Sequence, residues 1–71
     1  MKLVINGKEN DFDEGLTVNQ LLVVQQVKMP DMVSVELNEQ ILRRHEFESM
    51  VLKEGDKVEF LYFMGGGRGI N

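Results

Sequence analysis

The chain contains no cysteine, a single proline and a single histidine. Without cysteine there is no disulfide, no thiolate metal site and no cysteine nucleophile. His45, with no second histidine and no thiolate beside it, falls short of a zinc ligand set and is expected to be a solvated loop residue. Basic residues are scarce as well: eight Lys and Arg face twelve Asp and Glu, for a net charge of −4, and Arg43-Arg44 is the only short basic pair. That balance argues against nucleic acid as a partner. The acidic excess suits a basic protein surface, or serves solubility alone. Long hydrophobic runs are also missing. The opening "MKLVINGKEND" reaches charged and turn residues too soon for a signal-peptide core or a membrane span, so no membrane partner is expected and the expected location is the cytoplasm.

What is present is a globular composition, 42% apolar and 28% charged, in 71 residues. A single domain of this size buries only about 60% of the surface its unfolded chain exposes, which leaves little room for an enclosed catalytic cleft. Nothing in the residues offers a nucleophile with its base or a metal cluster. Glu46, Glu48 and Glu54 read as a solvated face. The "GGGRG" near the end lacks both the following helix and the lysine that a phosphate-binding loop requires.

The hydrophobic pattern alternates in four places and is helical in one. "KLVIN" puts Leu3 and Ile5 on one face and Lys2, Val4 and Asn6 on the other, as in a strand. Asn6-Gly7 follows, a two-residue hairpin signal because both central positions need positive φ, and "ENDFD" returns with Phe12 inward. In "TVNQLLVVQQV", Thr17 and Gln20 have capping-box spacing ahead of Val18, Leu21 and Leu22 at helical spacing, with Gln25 a further candidate for that face. Pro30 is expected to end the helix. "MVSVELN" gives a third strand, "QILRR" a short fourth, "HEFESMVLKEGD" an irregular connection, and "KVEFLYFM" the last strand, with Val58, Phe60 and Tyr62 on one face and Glu59, Leu61 and Phe63 on the other. One helix covers one sheet face, so the expected core is Leu3, Ile5, Leu21, Leu22, Val35, Leu37, Val58 and Phe60. The expected division is a domain over residues 1–64 and a glycine-rich tail over residues 65–71.

Two features then point outward. Val4, Leu61 and Phe63 face away from the helix with nothing left in the chain to cover them, an expected apolar patch for a protein partner. Beside that patch the last strand runs into Gly65, Gly66 and Gly67. Three residues without β-carbons thread a narrow channel and accept any φ a foreign active site demands. A terminal carboxylate on such an arm is a handle for another enzyme, which adenylation activates toward a sulfur nucleophile.

Taken together, "VINGK", "VSVELNEQIL" and "EGDKVEFLYFMGGG", at this length, resemble the ThiS family of ubiquitin-like sulfur carriers, over essentially residues 1–67. The resemblance implies an α+β fold of the β-grasp (ubiquitin-like) type, a mixed four- to five-stranded sheet with one helix on one face, and a protein that donates sulfur to the thiazole ring of thiamine. It also implies residue roles. Gly66-Gly67 matches the family's diglycine, so Gly67 would carry the carboxylate that is adenylated and converted to a thiocarboxylate. Gly65 and Gly66 would give threading freedom, and Leu61 and Phe63 would meet the partners. Those partners would be an E1-like, ThiF-like adenylating enzyme and a ThiG-like thiazole synthase. ATP and magnesium would belong to the adenylating enzyme, and this chain would bind no cofactor and would not itself be an enzyme.

The sequence departs from that pattern after the diglycine, where it continues as Arg68-Gly69-Ile70-Asn71. With those residues attached the Gly67 carbonyl is an amide, which leaves three readings: a precursor cut after Gly67 by a trimming protease, a genuine uncleaved end, or a divergent paralogue with a purely binding role. Asn38-Glu39 replaces the Asn-Gly often found at that turn, which a type I turn would accept. Carriers for molybdopterin, cysteine or methionine synthesis share the fold and the tail chemistry. A ubiquitin-like binding module with no C-terminal chemistry is the reading from a different class.

Overall fold

Asn6 and Gly7 take φ of 50° and 85°, the left-handed pair of a type I′ turn, and fold β1 (Lys2–Ile5) back on β2 (Lys8–Asp11). The fold is taken from a computed structural model, which describes residues 1–62. After the hairpin come helix α1 (Val18–Val24), strands β3 (Val33–Leu37) and β4 (Gln40–Ile41), a 3₁₀ turn at Arg44–Glu46, and β5 (Lys57–Tyr62). The five strands form one sheet in the order β2-β1-β5-β3-β4. β5 lies at its centre, parallel to β1 and antiparallel to β3. The expected mixed sheet with a single helix is what forms.

Helix α1 begins with a full capping box: the Gln20 amide donates to Thr17 Oγ1 at 3.2 Å, and the Thr17 amide donates to Gln20 Oε1 at 2.9 Å. The helix stops well short of Pro30. Gln26 takes φ of 56° and closes a Schellman motif, its amide donating to the Val23 carbonyl and that of Val27 to the Leu22 carbonyl, both at 3.0 Å. A glycine is usual at that position, so the stop carries no sequence signal. Gln25, the C-cap, is exposed rather than part of the buried face.

The connection after β4 differs from an uneventful loop. Its carbonyls complete the helix start, with the Val18 amide donating to Met50 O and the Asn19 amide to Phe47 O, each at 3.0 Å. These are donors that a helix N-terminus leaves without an internal partner. Phe47 and Leu52 from the same segment are buried, and they join Leu3, Ile5, Val18, Leu21, Leu22, Val33, Val35 and Val58 in the core. Leu37 and Phe60, expected inside, are half-buried at its rim. Arg44 is no free surface charge: its guanidinium donates to the Pro30 carbonyl at 2.6 Å and to that of Val33, and it lies 5.2 Å from the centre of the Phe47 ring.

The turn between β3 and β4 corrects the type I expectation. Leu37 pairs with Gln40, which leaves two residues for the loop, and Asn38 and Glu39 take φ of 51° and 72°. This is again a type I′ turn, whose twist matches the flanking strands where a type I turn would splay them. No helix among the described residues is long and apolar enough to cross a membrane.

Candidate functional site

β5 is the strand that leads into the glycines, and two asparagines brace it. Asn38 Oδ1 accepts the Lys57 amide at 2.9 Å at its start, and Asn6 Oδ1 accepts the Phe60 amide at 2.9 Å beyond the end of β1. Both asparagines are left-handed, which turns their side chains back toward the sheet. Asn38 Nδ2 also donates to Asp56 Oδ1 at 3.0 Å, and Asp56 Oδ2 accepts the Lys53 amide at 2.8 Å. The turn before β5 is thereby tied to the β3–β4 hairpin.

On the face away from α1, Val4 and Leu61 are both half-buried. The register keeps them apart. Val4 lies opposite Lys57, so Leu61 is two further outward positions along β5, about 13 Å at the usual strand rise. Leu61 instead pairs with Ser34, and Glu59 with Glu36, which in turn pairs with Ile41. Ile41 is 64% exposed, and Met32, just before β3, is 54% exposed. Neither was singled out from the sequence. Ile41 sits on a two-residue strand and Met32 ahead of one, and alternation over so few residues assigns no face. Phe63, Gly65, Gly66 and Gly67 lie outside the described residues, as does the boundary between residues 64 and 65.

On the helix side of the sheet, an open groove of about 460 Å³ lies between the end of α1 and the end of β5, lined by Asn6, Gln25, Val27, Met29, Phe60 and Tyr62 among others. Its lining includes Lys28 and Tyr62, and no carboxylate or histidine. Among the described residues no three His, Asp or Glu side chains are grouped so as to hold a metal ion. The described domain supplies a braced β5, held at both ends by asparagine side chains.

The sequence model of the ThiS family matches residues 3–67. The chain belongs to the ThiS family. The match ends at the second residue of the diglycine. As a ThiS-family protein it is a sulfur carrier on a β-grasp fold. A crystal structure of the thiamine biosynthesis protein ThiS from Geobacter metallireducens superposes with a TM-score of 0.86 at 48% identity, covering 94% of this chain and all of that one. A solution structure of a thiamine biosynthesis protein from the same organism gives 0.77 at 47% identity, over 96% of this chain and 90% of that one. Two longer proteins named thiazole synthase also match: one from Paramagnetospirillum magneticum at 40% identity over 94% of this chain, and one from Magnetococcus marinus at 34% over 96%. This ThiS-family chain spans only about a fifth of their length, 20% and 21%.

Proposed function

We propose that this ThiS-family carrier delivers sulfur to thiazole formation in thiamine biosynthesis through the C-terminal carboxylate of Gly67. The observation that carries this is the family match, which runs through β5 and the glycines and stops at Gly67. A carboxylate oxygen of Gly67 attacks the α-phosphorus of ATP in a separate ThiF-like enzyme, and pyrophosphate leaves. A sulfide-level nucleophile then attacks the acyl carbon and displaces AMP, leaving a thiocarboxylate. On a ThiG-like thiazole synthase the C–S bond then breaks as sulfur passes to the acceptor, and an oxygen from the acceptor or from water takes its place on the acyl carbon, restoring the carboxylate. ATP and magnesium act on the adenylating enzyme, and this chain contributes the acyl group alone.

The chemistry requires a free carboxylate. Whatever follows Gly67, Arg68–Asn71 included, must therefore be removed before adenylation, since an amide has no carboxylate oxygen to attack the α-phosphorus. The absence of β-carbons at Gly65 and Gly66 supports the threading role, and the half-buried Leu61, with Val4 further along the same face and Phe63 two residues on in sequence, supports docking beside the root of the arm. The cytoplasm, where ATP is at hand, is the compartment this chemistry needs.

The test is reconstitution with purified components. The chain ending at Gly67, incubated with the adenylating enzyme, ATP and a sulfide source, is expected to exchange one oxygen for sulfur in its intact mass, while the chain through Asn71 stays unchanged. A Gly67-ending chain that is neither adenylated nor thiolated contradicts the reading and favours a binding module.

A further inference from the structure

The parallel ladder between β1 and β5 stops early. Its last paired residues are Ile5 and Val58, and the Asn6 amide still donates to the Val58 carbonyl at 2.9 Å. One step further, a regular parallel ladder would set the Phe60 amide against the main-chain carbonyl of Asn6. Asn6 is instead left-handed, in the turn that leads to β2, and its side-chain Oδ1 accepts the Phe60 amide at 2.9 Å. The carboxamide thus stands in for the missing strand. Past it, this edge of β5 borders the open groove lined by Asn6, Phe60 and Tyr62 among others. Among the described residues, the end of β5 is then paired on one side only, Leu61 with Ser34 and Tyr62 with Val33 on β3.

Resting on the function proposed above, we infer that Asn6 is a positioning residue for the arm: by holding Phe60 in the sheet it fixes the root from which Gly67 is presented to a foreign active site. Gly67 lies five residues beyond Tyr62, a reach of at most about 17 Å. An arm of that length has little slack to make up for a root that has moved, and a misplacement of about 1 Å is enough to cost roughly 100-fold in rate. Glycines in the arm make the root matter more. Each further residue released from β5 is one more backbone to be ordered when the arm is threaded. Asn38 makes the same kind of bond at the start of β5, its Oδ1 accepting the Lys57 amide at 2.9 Å, and it too is left-handed in a turn. The two braces differ in their distance from the arm. Phe60 is two residues before Tyr62 and Lys57 is five.

The experiment is steady-state thiolation of the Gly67-ending chain by the adenylating enzyme with ATP and a sulfide source, comparing Asn6→Gly, Asn38→Gly and Asn6→Asp, with thermal unfolding of each alongside. Glycine keeps the left-handed turn and removes the side-chain acceptor, whereas aspartate keeps an acceptor and suits the same turn. Both glycine variants are expected to lower Tm, Asn38→Gly at least as much, because it also loses the bond from Asn38 Nδ2 to Asp56. Only Asn6→Gly is expected to lower kcat, about ten-fold, with KM, which docking of the folded domain sets, within about two-fold of wild type. Asn38→Gly changes neither constant, and Asn6→Asp restores kcat. Thiolation of Asn6→Gly at the wild-type rate overturns the positioning role. So does an equal loss in both glycine variants, since the loss then follows stability, and so does a ten-fold loss in Asn6→Asp, which has the acceptor. A wild-type Gly67-ending chain that is not thiolated is a separate failure: it overturns the carrier reading, and this inference with it.

Discussion

Among the described residues, four other than glycine occupy the left-handed region: Asn6, Gln26, Asn38 and Glu39. Asparagine tolerates that conformation and here uses it, since Asn6 and Asn38 each turn a side-chain oxygen onto an amide of β5. Glu39 gains no hydrogen bond for its φ of 72° among the described residues. Glu39→Gly is therefore expected to stabilise the domain by about 1 kcal/mol, read as a rise in Tm of about 4–8 °C. Asn6→Ala should lower stability by about 1–2 kcal/mol in denaturant unfolding, because it removes the acceptor for the Phe60 amide and puts a less tolerant residue at positive φ. The Asn6-Gly7 turn was legible in the sequence because its residue types are those the turn prefers. The Asn38-Glu39 turn was legible as a turn but not as type I′: a glutamate gives no hint of positive φ, and only the pairing of Leu37 with Gln40 forces it.

Among the elements, the short helix α1 depends on what it buries. Leu21 is fully buried and Val23, two residues on, is 77% exposed. Leu21→Ala is expected to cost about 2–5 kcal/mol, a large share of the roughly 4–10 kcal/mol that a domain of this size has in total. Val23→Ala should be neutral or slightly stabilising, since alanine is the better helix former. Thermal unfolding of the two variants side by side checks both. The face of the helix was legible from the spacing of Val18, Leu21 and Leu22, and its start from Thr17 and Gln20. Its end was not, because Gln26 stands where the Schellman motif ordinarily has glycine. Phe47 and Leu52 were missed for another reason: they enter the core from a segment with no period, so no alternation marks an inward side. Their burial follows from the loop carbonyls being drawn onto the start of the helix.

At the scale of the whole molecule, the central claim is that a small rigid sheet presents a glycine arm to enzymes that do the chemistry. The fold was legible nearly in full, because strand patterns, turn residues and one amphipathic helix agreed with one another and with a known family. The outer face was legible in kind but not in place. Alternation assigns Val4 and Leu61 to the same side, yet the parallel register of β1 against β5 separates them and brings Ile41 and Glu36 into the region of Leu61 instead. Gly66→Ala should lower the rate of thiolation at least ten-fold, since the methyl restricts the φ open to a residue threaded into a foreign active site, and leave stability unchanged within about 0.5 kcal/mol. Thermal unfolding and single-turnover thiolation separate the two effects.

The most direct test is the intact mass of the untagged protein recovered from its own cells grown without thiamine. The account predicts a species ending at Gly67, part of it with one oxygen replaced by sulfur. A protein found only intact through Asn71 under that demand, with no thiocarboxylate, would contradict it.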